Sequence, residues 1–160
     1  MASQPTPSPR GSTIDPTATD AVQDALATEH AALWCYSLAV AFLPAAQLGA
    51  ARTDAEAHRV LREQIEQTLA QIGAQAVSAQ PAYATPKPVV DGDSAMALLE
   101  VAETDAMAAW RSVLERTTDG GLRKAALSAL TSGTLRCAHW RGALGTTPAI
   151  PVLPGQPDTA

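Results

Sequence analysis

A proline-rich break at Gln80–Asp93 constrains the fold of this chain more than any other stretch of it. Pro81, Pro86 and Pro88 lack the amide hydrogen that a helix interior requires, and Asp91-Gly92-Asp93 supplies turn and N-cap chemistry. Two apolar-periodic segments precede the break and two follow it, and only a short turn separates the members of each pair. About 14 extended residues at roughly 3.3 Å each reach about 45 Å, enough to run back along a helix of about 28 residues. The pattern predicts two antiparallel helical hairpins joined by a long crossover, with the second and third helices parallel.

Each helix is read from a seam, a row of positions alternately three and four apart. In the first helix, from Ala21 onward, the seam runs Val22, Leu26, Leu33, Tyr36, Val40 and Leu43, with Glu29 in the one remaining seam place. Pro44 ends that helix near Leu43 and suits the first turn of the next. The second seam runs Leu48, Ala51, Ala55, His58, Arg62, Ile65, Leu69, Ile72 and Ala76, fading between Gly73 and Ser78. A start at Thr53, capped with Glu56, is the competing reading. The third helix, about Ser94 to Thr117, shows Met96, Leu99, Met107, Trp110 and Leu114 around Glu103, and stops at a turn, Asp119-Gly120-Gly121. The fourth, Leu122 to about Leu144, shows Ala126, Ala129, Gly133, Trp140 and Ala143, with Arg136 in the missing seam place. Tight hairpins joined by one crossover give the expected class: all-α, a ferritin-like four-helix bundle.

Composition agrees. Hydrophobic residues are 46% of the chain and aromatic residues 4%, so the core must come from alanine and leucine in closely packed helices. A net charge of -5, with no run of Lys and Arg among aromatics, argues against nucleic acid as a partner. Cys35 and Cys137 lie in no metal-ligand or CxxC spacing, which fits a reducing compartment. Met1–Asp20 lacks the charged start and apolar stretch of a secretory signal, and the most apolar window, Ala31–Ala46, is broken by Pro44 and too short to span a bilayer. A cytoplasmic location, with no membrane contact, is expected. Residues 1–19 are expected to form a disordered arm, 20–145 the bundle, and 146–160 a Pro-rich extended tail that lies on the bundle surface or docks a protein partner. The first helix also carries a second stripe, Ala31, Cys35, Leu38, Phe42 and Ala45. It predicts a homodimer through Cys35, Leu38 and Phe42, unless the tail covers that stripe.

Five seam places are polar where the rest are apolar: Glu29, His58, Arg62, Glu103 and Arg136. Glu29 and His58 lie equally far from the Leu43-Pro44 turn, and Glu103 and Arg136 equally far from the Asp119-Gly120-Gly121 turn. Each pair is therefore level within its hairpin, and hairpins packed at similar depth bring all four into one stratum, with Arg62 and His139 a turn away. A carboxylate is rarely buried unless paired or bound to metal. Di-metal bundles of ferritin-like type place a Glu on each of two helices and Glu-x-x-His on each of the other two. Here those pairs read Ala55-x-x-His58 and Arg136-x-x-His139. Arg136 has no lone pair for a metal and a permanent positive charge, so the favoured reading is that it neutralises Glu103 in place of a cation.

The segments Thr28-Glu29-His30-Ala31-Ala32 with Tyr36, His58-Arg59-x-x-Arg62, Tyr83 with Pro86, Leu99-x-x-x-Glu103, Arg123, and His139-Trp140-Arg141 carry a resemblance. Over about residues 20–154 the chain resembles an actinobacterial family of small ferritin-like proteins of unknown function. The resemblance implies a fold and no particular activity. No phosphate loop, nucleophile elbow or Cys-His arrangement occurs. The favoured function is a non-catalytic interaction or structural protein without a cofactor. One alternative is a protein holding a single Fe, Mn or Zn on Glu29, His58, Glu103 and His139. The other is a small-molecule binder with a polar core pocket at Glu29, Glu103 and Arg136.

Overall fold

Side-chain caps fix where three of the four helices begin. The structure, a computed structural model, describes residues 14–156. Helix α1, Pro16–Ala39, starts where the Asp15 carboxylate accepts from the Thr17 amide at 2.8 Å with proline in the first turn. Helix α2, Leu48–Gln71, has no side-chain cap and follows a 3-10 turn, Ala45–Gln47, led in by Pro44. Helix α3, Gly92–Arg116, opens on a capping box between Asp91 and Ser94. Helix α4, Gly120–Ala143, opens on Asp119, whose side chain accepts from the Leu122 amide. At the ends of α2 and α4 the chain turns through Gly73 and Gly145, at φ 73° and 72°. In both places the next amide reaches back five residues, Ala74 to Leu69 and Thr146 to Arg141.

Some boundaries move from those expected. Residues 16–19, assigned from sequence to the disordered arm, are helical; residues 1–13 of that arm lie outside the described residues. The Asp119-Gly120-Gly121 turn becomes the cap and first residues of α4. The Pro44 start for the second helical segment holds: Thr53 lies within α2, its hydroxyl donating to the Gly49 carbonyl at 3.2 Å.

The bundle is all-α, and no strand occurs among the described residues. Helix α1 packs on α2 and α3, and α3 on α4, whereas α2 and α4 hardly touch. Two apolar cores stack along the bundle axis. One gathers Val22, Leu26, Ile65, Leu69, Trp110, Val113, Ala126 and Ala129, and the other Tyr36, Leu43, Ala51, Met96, Leu99 and Trp140. Burying each Leu or Trp stabilises the fold by about 1.5–3 kcal/mol. On every helix the polar seam residue falls between the residues of these two cores.

The crossover between α2 and α3 is pinned to α1: the Gln23 amide donates to the Gln75 carbonyl at 2.7 Å and accepts from the Val77 amide at 2.9 Å. Tyr83 packs on Trp34, with ring centroids 5.9 Å apart. The tail through Gln156 is bent rather than extended, with a turn closed by Gln156 N–H on the Leu153 carbonyl. Arg141 donates to the Pro148 carbonyl at 3.1 Å, and Gly155 lies against the backbone of Met107 in α3. Residues 157–160 of the expected tail lie outside the described residues. Among the described residues no helix is long and apolar enough to cross a membrane.

Candidate functional site

The chain places Glu29, His58 and Glu103, all fully buried, on α1, α2 and α3. His58 stands between the two carboxylates. Its Nδ1 lies 2.6 Å from Glu29 Oε2 and its Nε2 2.8 Å from Glu103 Oε1. An ionised carboxylate only accepts, so both ring nitrogens donate and the ring is an imidazolium. From α4, Arg136 Nε donates to both oxygens of Glu103, at 3.0 and 2.9 Å. Two carboxylates, one imidazolium and one guanidinium leave the layer without net charge.

Three aromatic side chains complete the network. Trp110 Nε1 donates to Glu29 Oε1 at 2.7 Å, Tyr36 donates to Glu103 Oε1 at 2.6 Å, and Trp140 Nε1 donates to the Tyr36 hydroxyl oxygen at 2.9 Å. Asp54 lies at the edge, its Oδ2 3.3 Å from the same hydroxyl. Gly133 makes room on α4: a methyl group there would meet Met107 Cγ at 3.1 Å and stand 3.6 Å from Arg136 Nη2.

The proton affinities follow from this geometry. Burial opposes a charged His58, but hydrogen bonds and charge from Glu103 and Glu29 outweigh it and raise its pKa to about 9. Burial likewise works against ionised Glu103, yet His58 and Arg136 hold it below the usual carboxylate range. The Tyr36 hydroxyl is pushed far up by burial and by the Glu103 and Asp54 charges, so it stays neutral. Asp54 is raised by burial and by Glu103.

Of the six residues expected in the layer, Glu29, His58, Glu103 and Arg136 come together and two do not. Arg62 stays half-buried outside the layer, its guanidinium beside Glu63 and Glu66. His139 is exposed, with Nε2 2.9 Å from Gln47 Oε1 and its ring edge against Trp140. Tyr36, Asp54, Trp110 and Trp140 were not foreseen as polar partners. The antiparallel packing of α1 on α3 sets Trp110 opposite Glu29 and Tyr36 opposite Glu103, while Asp54 and Trp140 come from α2 and α4.

As placed, the four candidate metal ligands do not fit a metal ion. Both nitrogens of His58 are engaged, Arg136 occupies Glu103, and His139 points elsewhere; no group of three or more His, Cys, Asp or Glu among the described residues is arranged to hold one. The expected dimer face is also changed. Cys35 is buried among Ala32, Leu98 and Ala102, and Leu38 packs on the same cluster with Val89 of the crossover, so the crossover, not the tail, covers this part of the stripe. Burial and the Asp105 charge raise the Cys35 thiol to about 11, so it stays protonated at neutral pH. Phe42 remains 36% exposed.

The sequence profile of a domain of unknown function, DUF4439, matches residues 21–158, spanning all four layer residues and the bent tail. Among curated proteins none matches the chain. The crystal structure of a conserved hypothetical protein, rv2844, from Mycobacterium tuberculosis is similar at a TM-score of 0.78 and 29% identity, over 81% of this chain and 99% of that one. These likenesses carry a family and a fold, and they carry no activity.

Proposed function

The chain belongs to the DUF4439 family, and from that premise we propose that it is a non-catalytic, ferritin-like binding or structural bundle. In it a Glu, Arg and His layer takes the place of a metal pair. One observation carries the reading: His58 spans Glu29 and Glu103 with both nitrogens while Arg136 grips Glu103, so the cationic places are filled by side chains. Such a layer leaves no open coordination position and no unshared base for chemistry. Native mass spectrometry of protein purified without chelator is expected to give the bare chain mass, and Fe, Mn or Zn is expected to leave the melting temperature unchanged. One metal per chain, lost in Glu29→Ala and His139→Ala, would overturn the reading.

Small-molecule binding beside Arg136 is the second reading, favoured by an open groove between α2 and α4 that reaches the guanidinium. A protein partner on the tail is supported by Ile150, Val152 and Leu153, which stand 58–80% exposed on a segment clasped to the bundle. The first helix ends at Ala39, short of the expected Leu43, so pairing of two copies now rests on Val40 and Phe42 in the turn just past α1, each 36% exposed. A Phe42→Glu variant that sediments as the wild type does removes that pairing.

A further inference from the structure

The open side of the bundle lies between α2 and α4, which hardly touch and leave a groove of about 750 Å³. Ala57, Val60 and Leu61 from α2 and Ala125 and Ala129 from α4 give it apolar surface, interleaved with glutamines of α2 and serines of α4. At one end it reaches Arg136. That side chain is only 10% exposed. Among the described residues all its hydrogen bonds leave from Nε toward Glu103, so Nη1 and Nη2 have no protein partner. They are not sealed off either, since among the described residues the one buried polar side-chain atom left without a partner is Arg62 Nε. Glu103 thus holds the guanidinium through Nε and leaves both Nη donors without a protein partner at a residue that lines the groove.

We propose that this groove binds an amphipathic carboxylate, a medium-chain alkyl carboxylate whose head group is received by the Nη atoms of Arg136. The alkyl chain lies between α2 and α4 and runs toward Lys124, which lines the far end. Arg136 and Lys124 are twelve residues apart on α4, about 18 Å along the helix, which is room for such a chain. A planar guanidinium matches a carboxylate in fork geometry. Glu56 also lines the groove, but it pairs with Arg59 at the exposed rim, so the buried charge facing the slot is positive. The inference deepens the small-molecule reading and needs Arg136 to stay on Glu103.

The test is calorimetric titration of the full chain with decanoate below its critical micelle concentration, beside decanol and decyltrimethylammonium. The expected result is saturable binding of one decanoate per chain, at least about 10-fold tighter than decanol, with no saturable binding of the ammonium. Ser128→Trp fills the groove away from the layer and is expected to weaken decanoate at least about 10-fold with an unchanged circular dichroism spectrum. Arg136→Lys keeps the charge but loses the fork, and is expected to narrow the gap between decanoate and decanol. Decanol binding as tightly as decanoate, no saturation by decanoate, or wild-type affinity in Ser128→Trp would each overturn the proposal. A wild-type dimer that Ser128→Trp converts to monomer would also overturn it, since a second copy then fills the groove. A metal-bearing native mass counts against the non-catalytic reading and leaves this titration readable.

Discussion

Both ring nitrogens of His58 donate to carboxylates, so the folded protein holds a proton that the unfolded chain releases near pH 6.5. A group whose pKa is raised by folding stabilises fully below its unfolded value and loses that contribution as pH climbs through its folded value. The melting temperature is therefore expected to fall between pH 6.5 and about 9, by an amount on the order of 3 kcal/mol in stability. Glu103 acts in the opposite sense: its lowered pKa stabilises above 4.5 and is lost as pH falls through the depressed folded value. Scanning calorimetry against pH should thus show a plateau between those limits. His58→Gln should lose about 3–5 kcal/mol, because two buried carboxylates lose a shared cation, and should flatten the alkaline decline. A decline of the same slope in that variant would assign it elsewhere. Trp110→Phe removes one donor from Glu29 and should cost about 1.5–3 kcal/mol. The four central residues were legible because each is a polar place in an otherwise apolar seam, level with its hairpin partner. The polar tips of Tyr36, Trp110 and Trp140 were not, because no tight turn joins α1 to α3 or to α4 and counting from a hairpin cannot align them. Arg62 and His139 misled because a residue three or four places along a helix is rotated by a fraction of a turn, enough to carry a long polar side chain out of the layer.

The helices differ in how firmly their ends are held, and α2 is the one without a side-chain cap. Gly49 lies in its first turn with open space around its Cα. Gly49→Ala should raise stability by up to about 1 kcal/mol, while Asp119→Ala, which strips the cap of α4, should lower it by about 1 kcal/mol. Thermal melts of the two variants moving in the same direction would contradict this account. The start of the second hairpin arm could be read from the unbroken seam across Thr53. The true start of α1 could have been read as well, since Asp15-Pro16 is a cap followed by proline at the first helical position. The Ser, Thr and Pro around it resemble a disordered arm in composition and hide that signal, and only Ala18 marks a buried face there.

At the scale of the whole molecule, two hairpins and one crossover were legible from proline placement and seam length alone. What covers the second stripe of α1 was not, because periodicity shows that a face is apolar without naming its neighbour; Gln23, Trp34 and Val89 bring the crossover there. The tail offers a separate check. Gly155, at φ 76°, lies so close to α3 that an added methyl group would meet the Met107 carbonyl oxygen at 2.7 Å. Gly155→Ala should release the tail, seen as faster amide exchange over residues 146–156 with the bundle melt unchanged; unaltered exchange would refute the clasp. The polar layer, finally, is divided evenly. Glu29 and His58 belong to one hairpin, and Glu103 and Arg136 to the other. Each half of the chain brings one acid and one base, so neither strands an unbalanced charge when the two separate. Fragments 1–79 and 80–160, expressed together, should therefore find each other and rebuild the bundle without a peptide link.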